Sequence, residues 1–119
     1  RTSKREFMKE ISWKDFAKVE LRVGTITAVD EFPEARRPAY KLTIDFGEAI
    51  GTRRASAQIT DLYEVNNLVN KQVLGVVNFA PKQIGPFMSE CLVTGFVQDD
   101  GAVVLAVPDR PVESGLKLA

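Results

Sequence analysis

With 119 residues, 45% of them hydrophobic, the chain is long enough for one compact core and too short for a second. Lys plus Arg and Asp plus Glu stand at 16 each, so the net charge is zero, the global attraction expected of a nonspecific polyanion binder is absent, and any affinity for nucleic acid has to be local. The absence of histidine and the single cysteine, Cys91, remove the commonest general base, the commonest metal ligand, any internal disulfide and any thiolate metal site; neither catalysis, metal nor cofactor is expected.

The first segment, Arg1 to Lys18, carries six basic and three acidic residues, leaving ten and thirteen for the remainder. Residues 1–11 read as an N-terminal tail, with Arg1 to Arg5 solvated and partly disordered, and residues 12–119 as the folded domain. Ser12 with Asp15 three residues on predicts a capping box that opens a short helix through about Lys18, with Trp13 and Phe16 on its apolar face. Glu20 to Asp30 reads as a long strand bent at Gly24. Tyr40, Leu42, Ile44 and Phe46 alternate with Lys41, Thr43 and Asp45 as a half-buried strand requires. Gly47 to Gly51 reads as a hairpin connection, and Arg53 to Ile59 as the return strand with Ala55, Ala57 and Ile59 inward. Thr60 or Asp61 is expected to cap a short helix bearing Leu62, Tyr63 and Val65, with Asn66 and Asn67 at its exit. Val73 to Phe79 is an almost continuous apolar strand, followed by a loop through Ser89. The runs Cys91 to Val97 and Val103 to Val107 flank Asp100-Gly101, the clearest hairpin turn in the chain. No apolar run approaches the ~20 residues of a bilayer span, and the lone thiol fits a reducing cytosol; a cytoplasmic protein without membrane insertion is expected.

Several blocks carry a resemblance. Leu21-Arg22-Val23-Gly24-Thr25-Ile26, Glu31-Phe32-Pro33-Glu34-Ala35-Arg36, Pro38-Ala39-Tyr40-Lys41-Leu42, Ile44-Asp45-Phe46-Gly47, Ser56-Ala57-Gln58-Ile59-Thr60 and Pro108-Asp109-Arg110-Pro111-Val112 occur in order around the spacing Asn78-x-x-Pro81-Lys82-x-Ile84 with Ser89 beyond. Together they resemble the CsaA-type export chaperones, a branch of the tRNA-binding-domain superfamily with the OB (oligonucleotide-binding) fold. The resemblance implies an all-β protein, a five-stranded Greek-key barrel with short flanking helices, whose N- and C-terminal extensions build a homodimer. The apolar Val112, Leu116 and Leu118 would then be buried against a second subunit. The partners it implies are unfolded or pre-export polypeptides and, as the alternative, structured tRNA.

The candidate binding residues are Asn78, Pro81, Lys82, Ile84, Met88 and Ser89, flanked by the basic pairs Arg36-Arg37 and Arg53-Arg54. Asn78 either reads a base edge or peptide carbonyl or caps the end of its strand. Lys82 neutralises a phosphate or is simply solvated, and Ser89 offers its hydroxyl to the groove or to its own loop. Phe79 and Phe87 either face inward or join Ile84, Pro86 and Met88 in an apolar surface suited to varied peptides. Two departures stand out: Arg36-Arg37 replaces the acidic-basic pair of many tRNA-binding relatives, and Leu92 stands where they often carry methionine.

Overall fold

The computed structural model describes residues 5–119; all but Arg5 of the expected Arg1 to Arg5 tail lies outside the described residues. Helix α1, Trp13–Ala17, opens as the sequence demands: the Ser12 hydroxyl accepts from the Asp15 N–H at 3.1 Å while the Asp15 carboxylate accepts from the Ser12 N–H at 3.1 Å. This single turn buries none of its residues, and Trp13 remains 89% exposed.

The barrel strands are β1 (Leu21–Glu31), β2 (Tyr40–Asp45), β3 (Thr52–Ala57), β4 (Gln72–Val76) and β7 (Leu92–Val93), antiparallel in the order β3-β2-β1-β4-β7. This is the expected all-β, five-stranded OB-type barrel. Two small hairpins project from it, β5 (Lys82–Ile84) with β6 (Phe87–Ser89), and β8 (Gly95–Val97) with β9 (Val103–Leu105). The second turns at Gly101, whose φ of +89° is the positive angle that the Asp100-Gly101 pair foretells.

Four local expectations are corrected. The irregularity in β1 falls between Ile26 and Ala28, and Gly24 sits in regular register opposite Val73. The second helix, α2, is Val65–Leu68, begun by Glu64 rather than Thr60 or Asp61, because the Asn67 amide oxygen accepts from the Glu64 N–H at 3.0 Å. Asn67 therefore lies inside the helix, and Asn70, at φ +72°, makes the exit. Within the expected loop 79–89, residues 82–89 form a hairpin. The run from Cys91 to Val97 breaks at Thr94, whose N–H and hydroxyl both donate to the Leu74 carbonyl at 2.9 Å.

Ile26, Leu42, Ile44, Phe46, Leu68 and Val73 are the largest fully buried side chains. Phe46 organises them by lying over two glycines. A Cβ on Gly24 would fall 2.7 Å from the ring and 2.5 Å from Ile44, and one on Gly75 would fall 2.8 Å from the ring. Residues 115–118 pair with the half of β1 that β2 leaves free: Gly115 and Leu118 donate to the Val23 and Leu21 carbonyls at 2.7 and 2.8 Å, and Val23 donates to Leu116 at 3.0 Å. The C-terminal tail is thus fastened to its own barrel through the backbone, although Leu116 and Leu118 keep exposed side chains.

Gly24→Ala should destabilise by roughly 1–3 kcal/mol through overpacking, and part of the loss should disappear in a Phe46→Leu background, where the ring edge is gone but the 2.5 Å approach to Ile44 remains. Urea unfolding of both singles and the double reads this directly; additivity within ~0.5 kcal/mol would rule out the ring contact as the cause.

Candidate binding site beside the β5–β6 hairpin

The hairpin is seated on the barrel by Phe87. Its ring is buried, meets Phe32 edge-on at 5.4 Å, and carries the Arg54 guanidinium on its face at 4.6 Å. Ala39, Ala35 and Ile84 complete this small second core. Strand β3 and the segment after β6 approach each other without a ladder among the described residues. The Glu90 carboxylate accepts from Arg54 N–H at 2.9 Å, Glu90 N–H donates to the Arg54 carbonyl at 2.7 Å, Ser89 Oγ accepts from Ser56 N–H at 3.2 Å, and Arg53 donates to the Val77 carbonyl at 3.1 Å.

This seam leaves two adjoining hollows beside the hairpin. One, of about 920 Å³, is bordered by Arg36, Arg37, Lys82, Gln83, Gln58 and Glu34. The other, of about 540 Å³, is bordered by Phe79, Ala80, Ile84 and Leu92, with Cys91 also in its wall. Ser56, Gln58, Lys82 and Ile84 touch both. The first offers three cations against one carboxylate and the second offers mainly apolar surface, so the pair suits an extended ligand with apolar and polar parts.

Of the sequence-chosen residues, Lys82, Ile84 and Ser89 meet at these hollows, and Arg36 and Arg37 join them from the β1–β2 connection. Pro81 is exposed beside Lys82. Met88 is exposed on the hairpin but borders neither hollow. The other residues are held internally. Asn78 accepts from Glu20 N–H at 3.1 Å and donates to the Lys18 carbonyl at 2.7 Å, tying the end of β4 to the linker between α1 and β1. Ser89 also donates to the Cys91 carbonyl at 3.5 Å. Arg53 closes the seam and Arg54 stacks on Phe87.

Sequence reasoning missed Ser56 and Gln58, although a signal existed: they alternate with the inward Ala55 and Ala57 and so had to face out. It left Phe79 undecided. The side chain is 58% exposed, at the lip of the apolar hollow.

The match with known proteins covers this whole arrangement. The family model described as "Putative tRNA binding domain" spans residues 21–117. The chain belongs to the tRNA-binding-domain family. Within it the chain is a CsaA-type member: the crystal structure of chaperone CsaA from Picrophilus torridus is 50% identical, with a TM-score of 0.86 over 92% of this chain and 100% of that one. Chaperone CsaA from Bacillus anthracis is 43% identical, with a TM-score of 0.87 over 93% and 100%. The methionine–tRNA ligase of Pyrococcus horikoshii is 34% identical over 112 residues, 93% of this chain and 15% of the ligase. That of Bacteroides fragilis is 31% identical over 105 residues, 88% of this chain and again 15% of the ligase. This CsaA-type domain thus spans about 15% of the length of these curated relatives, and the region shared with them is a binding module rather than a catalytic one.

Burial pushes the Cys91 thiol up to about 12 from an ordinary 9.0, against a smaller opposing pull from Arg53. Because its folded value is raised, the stability contributed by the neutral thiol is complete below about pH 9 and is lost as pH rises through 12. At pH 8 iodoacetamide should leave the native protein almost unlabelled and modify it fully in denaturant, as mass spectrometry would read. Native labelling at the unfolded rate would refute the buried, neutral thiol.

Proposed function

We propose that this chain is a homodimeric, cytoplasmic chaperone of the CsaA type that holds unfolded or export-destined polypeptides in the hollows beside the β5–β6 hairpin. The observation that carries the reading is the apolar lip of the smaller hollow, where Phe79 and Leu92 stand 58% and 50% exposed. Large apolar groups so placed gain about 25 cal/mol per Å² when a client covers them. The 43% and 50% identities to the two CsaA chaperones support the same reading.

Dimerisation is supported by the flanks. Phe7, Met8, Ile11 and Trp13 precede the barrel with exposed side chains, and Leu116 and Leu118 follow it. Lys117 donates to the Ala17 carbonyl at 3.1 Å, which places the C-terminal segment against the end of α1. A second copy would remove this apolar area from water.

Binding of tRNA is the second reading, favoured by the cations Arg36, Arg37 and Lys82 around the larger hollow and by the shared domain of the methionine–tRNA ligases. In this role Lys82 would meet a phosphate, with Pro81 and Ser89 near it and Asn78 acting only through its hold on the end of the strand.

Light scattering at micromolar concentration should give twice the chain mass of 13.2 kDa; a monomer would sink the assembly. Salt separates the ligands. On log axes, affinity for tRNA should fall with a slope of about −0.9 per phosphate contact, and Lys82→Ala should reduce that slope by about one. Capture of an unfolded polypeptide should hardly respond. A peptide affinity as salt-sensitive as that for tRNA would overturn the apolar mode.

A further inference from the structure

We propose that Phe79 is the anchor that selects clients with a bulky apolar side chain, and that Asn78 positions it; the inference rests on the chaperone reading and deepens it. An exposed phenylalanine is commonplace, but this one is delivered by a fixed backbone. The residue two before it is held at both ends, since Val77 N–H donates to the Glu20 carbonyl at 3.0 Å and Val77 carbonyl accepts from Arg53 at 3.1 Å. The residue just before it is held through its side chain, by the Asn78 bonds to Glu20 N–H and the Lys18 carbonyl. Two residues after it, Pro81 fixes its own φ. A side chain that is already exposed and whose approaching backbone is already held has less chain to order when a partner covers it, which is what distinguishes an anchor from an incidental surface residue.

The chemistry around Phe79 points to a polypeptide. Its apolar neighbours in the hollow are Ala80, Ile84 and Leu92, with Lys82 the only formal charge in the wall among the described residues. A nucleotide base stacked there would bring a phosphate with one cation in that wall to meet it, while Arg36 and Arg37 border the larger, adjoining hollow. An apolar side chain of an extended peptide brings no such charge. Its backbone would find polar partners in Ser56 and Gln58, which border the same hollow.

The test uses two short fluorescein-labelled peptides of Gly, Ser and Asn that differ only at two central positions, Leu-Phe in one and Ser-Ser in the other. The parent should bind the first at least about tenfold more tightly by fluorescence anisotropy. Phe79→Ser should abolish that ratio and Phe79→Leu should keep most of it, both with the parent's circular dichroism and urea midpoint, because the side chain supports no core. Asn78→Ala should weaken binding of the Leu-Phe peptide in the parent and leave the residual affinity of Phe79→Ser for that peptide unchanged, as expected of a residue that acts through another. If Phe79→Ser keeps the ratio, the anchor is refuted while the chaperone reading stands. If the parent binds neither peptide, the reading fails and the anchor with it. Loss of tRNA affinity in both Phe79 variants with the peptide ratio intact would overturn the proposal in favour of base stacking. Dissociation of a dimer by Phe79→Ser would reassign the residue to self-association, and an equal further loss on adding Asn78→Ala would refute the positioning role.

Discussion

Strand β3 ends its sheet with a row of backbone groups turned away from β2, and the chain satisfies it with two side chains and one backbone bond rather than a ladder. Glu90 meets Arg54 through both its carboxylate and its own N–H, Ser89 accepts from Ser56, and Arg53 reaches across to Val77. An exposed edge would be a template for uncontrolled pairing, and a continuous ladder would bring the two strands to within 5 Å of each other. Clamps made from longer side chains close the edge while keeping the wall open. The two hollows are the space that this mode of closure leaves, which is why Ser56 and Gln58 border both.

Tight packing elsewhere makes such looseness affordable. With Phe46 over Gly24 and Gly75, the centre of the barrel is drawn in to contact distance at the one place where two strands give up their side chains. The small core of Phe32, Ala39 and Phe87 then fixes the hairpin independently. Each hollow is therefore walled by parts anchored in different clusters. The hairpin can present Lys82 and Ile84 without contributing to the main core.

Much of the fold was legible because its signals are local. The alternation from Tyr40 to Phe46 gives a strand and its inward face; Ser12 with Asp15 gives a cap; Asp100-Gly101 gives a turn. The site was half legible. Lys82, Arg36 and Arg37 stand out by charge, and they do converge. Asn78, Ser89, Arg53 and Arg54 have the same side-chain chemistry whether they face a ligand or the protein, and what decides is a partner far away in sequence: Lys18, Ser56, Val77 or Phe87. The late start of α2 has a comparable cause. The expected caps, Thr60 and Asp61, have the usual capping side chains, and it is the bond from the Glu64 N–H to Asn67 that starts the helix later.

The Glu20 carboxylate accepts from Arg22 at 2.7 Å and from Lys117 at 3.1 Å, contacts that hold it below the usual carboxylate range. Arg22 in turn donates to the Gly115 carbonyl and Lys117 to that of Ala17. The way into the barrel and the way out of it are knotted at one point on its surface. A domain whose entry and exit coincide can be spliced onto either end of another polypeptide, or into a surface loop, with a short connector and no disturbance of its ligand face. The matched ligases, in which such a domain makes up only about 15% of the chain, are the kind of architecture that this geometry permits.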